Sequence, residues 1–227
     1  MSTIAQRLSA VRAKISQAEG RAGRPAGSVK LLAVSKTRPL ADLQAAIAAG
    51  QTAFGESYVQ EAVAKITALA GQGLEWHFIG PIQSNKTALI AGHFAWVHSV
   101  DRAKIAQRLS DQRPADLPPL NVCLQLNLSG EASKSGIHPA ELPELAALVA
   151  RLPNLCLRGL MTIPAPEADP AKQRQPFHDL RQLFEKLCQD GYALDTLSMG
   201  MTDDLEAAIY EGATIVRIGT AIFGARD

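Results

Sequence analysis

Short apolar or β-branched runs alternate along the chain with longer stretches whose apolar residues recur every three to four positions. The short runs predict strands at residues 30–35, 53–56, 75–80, 96–100, 121–127, 156–162, 196–200 and 214–219. Their starts lie 18 to 40 residues apart, with helical patterns between them. Alternation of this kind implies parallel strands joined by crossover helices.

The helical stretches carry their own punctuation. Pro39 suits a first helical position, Leu43 and Ile47 form a stripe, and Gly50 closes it. Val59, Val63, Ile66 and Leu69 mark the next helix, ahead of Gly71. Ser84 and Asp101 fit as N-caps of two more. Pro139 opens a helix carrying Leu142, Leu145 and Val149, and Phe177, Leu180, Leu183, Phe184 and Leu187 line another. Residues 203–210 predict a short helix closed by Gly212. Ile4, Leu8, Val11 and Ile15 predict a helix before the first strand. Residues 1–18 are also basic and free of acids, as a mitochondrial presequence would be, but a packed first helix is the simpler reading.

Eight βα units in 227 residues fit an α/β fold, a single (β/α)8 TIM barrel over residues 1–227 with an extra N-terminal helix. A doubly wound open sheet is the alternative, but it favours a glycine-rich first βα turn. Here that turn reads Ser35-Lys36-Thr37-Arg38-Pro39. The proline-rich pieces at 113–119 and 164–170 read as long loops within one domain. The chain ends 8 residues after the last predicted strand, so no second domain is expected.

Composition narrows the function classes. Hydrophobic residues make up 47% and charged residues 20%, the proportions of a folded globular chain. The net charge of +1 lacks the basic excess of a nucleic-acid binder, and no apolar run is long enough for a bilayer. Cys123, Cys156 and Cys188 form no C-x-x-C pair and read as reduced, mostly buried thiols, so no metal site is expected. The N-terminus has no signal-peptide core, which together with reduced thiols suggests a cytoplasmic protein.

A barrel places its chemistry at the C-terminal ends of the strands. Lys36 follows the apolar run 31–34, with nothing acidic near it in sequence. Desolvation there would favour the neutral amine, which Schiff-base chemistry needs; a solvated loop lysine is the plainer alternative. The last two units supply Ser198-Met199-Gly200-Met201-Thr202 and Arg217-Ile218-Gly219-Thr220. Loops after strands seven and eight commonly bind phosphate, and these glycines and hydroxyls suit that role, although ordinary turns also use them. Arg217 lies within its strand, where it needs either an ion-pair partner or a ligand. Residues 127–136, with Lys134, read as a polar loop holding a second reachable amine.

Longer blocks carry a specific resemblance. They are Ala33-Val34-Ser35-Lys36-Thr37, Phe54-Gly55-Glu56-Ser57-Tyr58-Val59-Gln60-Glu61 and Trp76-His77-Phe78-Ile79-Gly80-Pro81-Ile82-Gln83-Ser84-Asn85-Lys86. Lys134-Ser135-Gly136, Arg158-Gly159-Leu160-Met161, Ser198-Met199-Gly200-Met201-Thr202-Asp203-Asp204 and Val216-Arg217-Ile218-Gly219-Thr220-Ala221-Ile222-Phe223-Gly224 complete them. In this order, and nearly end to end, the chain resembles the pyridoxal-phosphate homeostasis proteins, short relatives of the alanine racemase barrel.

The resemblance implies pyridoxal 5′-phosphate (PLP) as cofactor, held as a Schiff base. Lys36 matches the Schiff-base lysine; Ser198, Met199, Gly200, Met201, Gly219 and Thr220 fall in the phosphate-binding segments; Arg217 matches the arginine facing the pyridine nitrogen. The family usually carries Asn where this chain has Ser57, and the shorter side chain would reach the ring through a water. The implied role is intracellular PLP homeostasis without efficient catalysis, in a monomer that supplies PLP-dependent apoenzymes. Two alternatives stand beside it. An amino-acid racemase would need a base such as Tyr58 or His77, and a cofactor-free aldolase would use Lys36 with the phosphate site.

Overall fold

In the computed structural model, residues 2–128 and 135–225 are described. Lys134 falls outside them. The first half runs α1 (Ile4–Arg21), β1 (Lys30–Val34), α2 (Leu40–Ala48), β2 (Ala53–Glu56), α3 (Val59–Ala68), β3 (Glu75–Phe78), α4 (Thr87–His93), β4 (Trp96–Val100) and α5 (Ala103–Asp111). The second runs β5 (Leu120–Leu126), α6 (Leu142–Val149), β6 (Leu155–Thr162), α7 (Pro170–Gln189), β7 (Thr196–Ser198), α8 (Leu205–Tyr210), β8 (Ile215–Ile218) and α9 (Thr220–Phe223).

Each strand pairs in parallel with the next, and β8 pairs with β1 through Leu31↔Val216 and Leu32↔Arg217, so the sheet closes. The open doubly wound alternative is thereby excluded. Apolar helix faces pack on the outside of the strands; α2 buries Leu43 and Ala46, and α5 buries Ile105, Ala106 and Leu109. The extra helix α1 starts with a capping box in which Thr3 Oγ1 accepts the Gln6 N–H at 3.2 Å. It packs against α2, α8 and α9. Its buried Glu19 accepts the N–H groups of Gly27 (3.0 Å) and Val29 (2.8 Å), fixing the approach to β1.

Several local expectations shift. Pro39 is the N-cap of α2 rather than its first residue. Ser84 opens a 3₁₀ turn, Ser84–Lys86, ahead of α4. Asp101 does not cap α5; its carboxylate takes Arg102 Nη1 at 2.7 Å, and Arg102 is the N-cap. Only Cys123 is a buried thiol, since Cys156 is exposed and Cys188 half-buried. Between Val122 and Cys123 the β5–β6 register slips past Arg158. A Cβ at Gly159 would come within 1.8 Å of the Thr196 carbonyl oxygen, so only glycine lets β6 and β7 meet there.

The barrel interior is not uniformly apolar. Leu32, Ala53 and Ile215 form one small cluster, and Trp96, Cys123 and Met161 another. Between bottom and top stand His77, His98, Ser198 and Arg217, each no more than 3% exposed. Barrels usually fill these layers with branched apolar side chains.

Candidate functional site

The C-terminal mouth encloses a cavity of about 240 Å³, room for a ligand below drug size. Of the residues that the sequence singles out, Lys36, Ser57, Met201, Arg217, Gly219 and Thr220 line it. Val34, Ile79 and Ile163 supply an apolar wall. Arg38, Thr202 and Asp203 complete the rim.

Three of the predicted residues stand behind this surface. Met199 is fully buried in the main core. Gly200 sits at φ +92°, where a Cβ would approach Ala208 Cβ to 2.5 Å, and its carbonyl accepts the Arg217 N–H at 2.9 Å. Ser198 Oγ is bonded to Arg217 Nη1 (2.8 Å) and His98 Nδ1 (2.7 Å). Neither candidate base lines the cavity: Tyr58 is 52% exposed, and His77 is buried inside the barrel.

Lys36 is placed by a turn that needs outside support. Thr37 has φ +63°, the left-handed region that β-branched residues avoid. Its N–H is held by Glu61 Oε1 at 2.6 Å. Lys65, which no motif marks, uses its ammonium on Ser35 O (2.7 Å), Glu56 Oε1 (2.8 Å) and Glu61 Oε1 (2.5 Å). Ser35 Oγ donates to the same Glu56 oxygen at 2.6 Å. Burial raises the Glu56 carboxyl above its usual range, against the pull of Lys65. Among the described residues its Oε2 has no hydrogen-bond partner.

Arg217 Nη2 donates to Thr162 O at 2.9 Å, and burial lowers its pKa to about 10, so it stays charged at neutral pH. Burial also lowers the titration of His77 and drives that of His98 far below the ordinary value. The hydrogen bond from His77 is the main reason that Glu75 titrates at about 2.

These shifts predict an acid-sensitive fold. The histidines are neutral when folded, so their contribution is fully present above the unfolded value of ~6.5 and falls as pH drops, on the order of 1 kcal/mol per unit for each. Glu75 adds a second loss as pH falls from its ordinary value through about 2. Glu56 works the other way, since protonation relieves its burial. Urea unfolding at pH 7.5 and 5.5 should show the lower stability at 5.5. Equal midpoints and slopes would contradict neutral, buried histidines.

The alanine racemase N-terminal domain model matches residues 6–227. The pyridoxal phosphate homeostasis protein of Pseudomonas aeruginosa is 64% identical over 227 residues, covering 100% of this chain and 97% of that protein. The chain belongs to the pyridoxal phosphate homeostasis protein family. A solved structure of PipY from Synechococcus elongatus PCC7942, with PLP bound, is 38% identical at a TM-score of 0.85 and covers 98% of this chain and 100% of PipY. Alanine racemase from Corynebacterium glutamicum shares the barrel fold, at a TM-score of 0.69 and 18% identity, over 96% of this chain and 61% of the racemase. In this family member, no described helix is long and apolar enough to cross a membrane. Among the described residues, no group of three or more His, Cys, Asp or Glu is arranged to hold a metal ion.

Proposed function

We propose that this chain binds PLP as a Schiff base on Lys36 and serves intracellular PLP homeostasis as a carrier, without efficient catalysis. One observation carries the reading. Lys36, Arg217, Gly219 and Thr220 converge on a single small cavity at the barrel mouth, and a relative of 38% identity holds PLP. The lining suits the ligand. It offers a primary amine for an aldehyde, cations and hydroxyls for an anion, and an apolar wall for a ring. Gly219 packs closely on β1, where a Cβ would sit 3.2 Å from Val34 O.

When bound, PLP supplies an aldehyde that condenses with a primary amine and a ring that withdraws electrons. The protein's residues limit how far that chemistry goes. Arg217, held by Ser198 and Thr162, would keep a facing pyridine nitrogen unprotonated, because a second positive charge beside it is unfavourable. The ring is then a weak electron sink. Tyr58 and His77 do not line the cavity. Ser198 supports Arg217 from behind, and Gly200 receives its backbone N–H. In this reading residues 1–227 form one PLP-binding domain, monomeric and cytoplasmic, which hands PLP to apoenzymes.

Titration of the purified chain with PLP tests this. A visible band of a lysine Schiff base should develop to one equivalent, with no inversion of L-alanine beyond a trace. An unchanged spectrum of free PLP would overturn binding. Rapid stereoinversion would instead establish a racemase.

A further inference from the structure

A continuous line of hydrogen bonds crosses the barrel interior, and with both histidines neutral each link has one consistent direction. At the lower mouth Glu75 Oε1 is paired with Lys30 and with His77 Nε2 at 2.5 Å. A carboxylate only accepts, so His77 Nε2 carries the proton. Burial favours neutral His77, and in the neutral ring Nδ1 accepts from His98 Nε2 across 2.8 Å, which leaves His98 Nδ1 to accept the Ser198 hydroxyl proton at 2.7 Å. That turns the Ser198 lone pairs toward Arg217 Nη1, 2.8 Å away. The rings are held by packing: His77 stacks on Trp96 with centroids 5.4 Å apart and meets His98 edge-on at 5.0 Å. His77, His98 and Ser198 have 0% exposure.

We infer that His98 is a positioning residue for the ligand: by accepting the Ser198 proton it makes Ser198 a fixed acceptor for Arg217, and so aims the guanidinium into the cavity. The inference rests on the PLP reading above. Glu75 and His77 act behind His98 by fixing its tautomer. Without an acceptor at Nδ1, the Ser198 hydroxyl is free to rotate its proton toward Arg217, and the guanidinium loses one of its two anchors. A further consequence is that the Ser198 hydroxyl proton is committed to the barrel interior rather than to a phosphate.

The test combines tautomers with affinity. In the full-length chain labelled with ¹⁵N-histidine at pH 7.5, His77 and His98 should both be neutral Nε2–H tautomers. His98→Leu should weaken PLP binding about tenfold or more and move the visible band, the scale of a lost hydrogen bond to a charged group. His98→Asn places Oδ1 where Nδ1 stood and should stay within about threefold of the unsubstituted chain. His98→Gln reaches toward His77 instead and should behave like His98→Leu. An Nδ1–H tautomer at His98 would overturn the inference, as would binding and spectra unchanged in both His98→Leu and His98→Gln. Should His98→Leu fail to fold, the tautomers and the Asn–Gln contrast decide. An unsubstituted chain that develops no band brings down the PLP reading and this inference together; a normal band with unaffected variants brings down this inference alone.

Discussion

A Lys36→Ala chain is expected to show no visible band with PLP and to bind it at least about a hundredfold more weakly, a loss of about 3 kcal/mol. The position argues for a direct effect on the ligand. Lys36 lies two residues beyond the end of β1 and is half-buried on the wall of the cavity. Its backbone neighbours do the structural work, through Ser35 with Glu56 and Lys65, and Thr37 with Glu61. Removing the side chain beyond Cβ leaves those bonds intact, so the variant should still fold. Residual weak binding would come from Arg217, Thr220 and the backbone at Gly219. Borohydride reduction of the loaded, unsubstituted chain followed by peptide mapping should place the added mass on Lys36. Label on another lysine, or an undiminished band in Lys36→Ala, would move the Schiff base and reassign the cavity.

The barrel was legible because its strands follow one another at regular intervals, and the mouth was legible because chemistry in such a fold sits at strand ends. Lys36, Gly219 and Thr220 follow from that rule, and Arg217 from the cost of a charge inside a strand. Ser198, Met199 and Gly200 show its limit. Strand ends alternate between facing the cavity and facing the layer beneath, and a motif read as a string does not say which. The histidine line had a visible trace. His77 and His98 are both third in their strands, and parallel strands turn alternate residues to the interior. Their contact also depends on the stagger between β3 and β4, in which His77 lies opposite Trp96. That stagger comes from closing the barrel, not from local sequence. Lys65 was hidden for a related reason. The stripe of Val63 and Ile66 draws attention, yet the residues α3 buries are Val59, Ala62 and Lys65. A lysine on the buried face reads as an error in the pattern until its three acceptors are known.

Those acceptors make Lys65→Met the substitution with the largest expected cost to stability, about 3–5 kcal/mol near pH 8. The methionine fills most of the space but leaves two carboxylates without their cation. One of them, Glu56, has no exposed side-chain surface, and its second oxygen is already unpartnered. The sign of the pH dependence distinguishes this cause from simple misfit. Burial raises the folded Glu56 pKa above its unfolded value, so ionised Glu56 costs stability at high pH, and the cost is relieved as pH falls through the folded value. Lys65 is the main force opposing that shift. Without it the Glu56 titration moves further up, and the variant should recover part of its lost stability between pH 8 and pH 5, relative to the unsubstituted chain. Paired urea titrations at the two pH values measure this directly. PLP binding should weaken as well, because Ser35 O and Glu61 lose the ammonium that ties the strained Thr37 turn, and with it Lys36, to α3. A loss that is equal at both pH values would point to packing, and one below about 1 kcal/mol would mean that the buried carboxylate finds another partner.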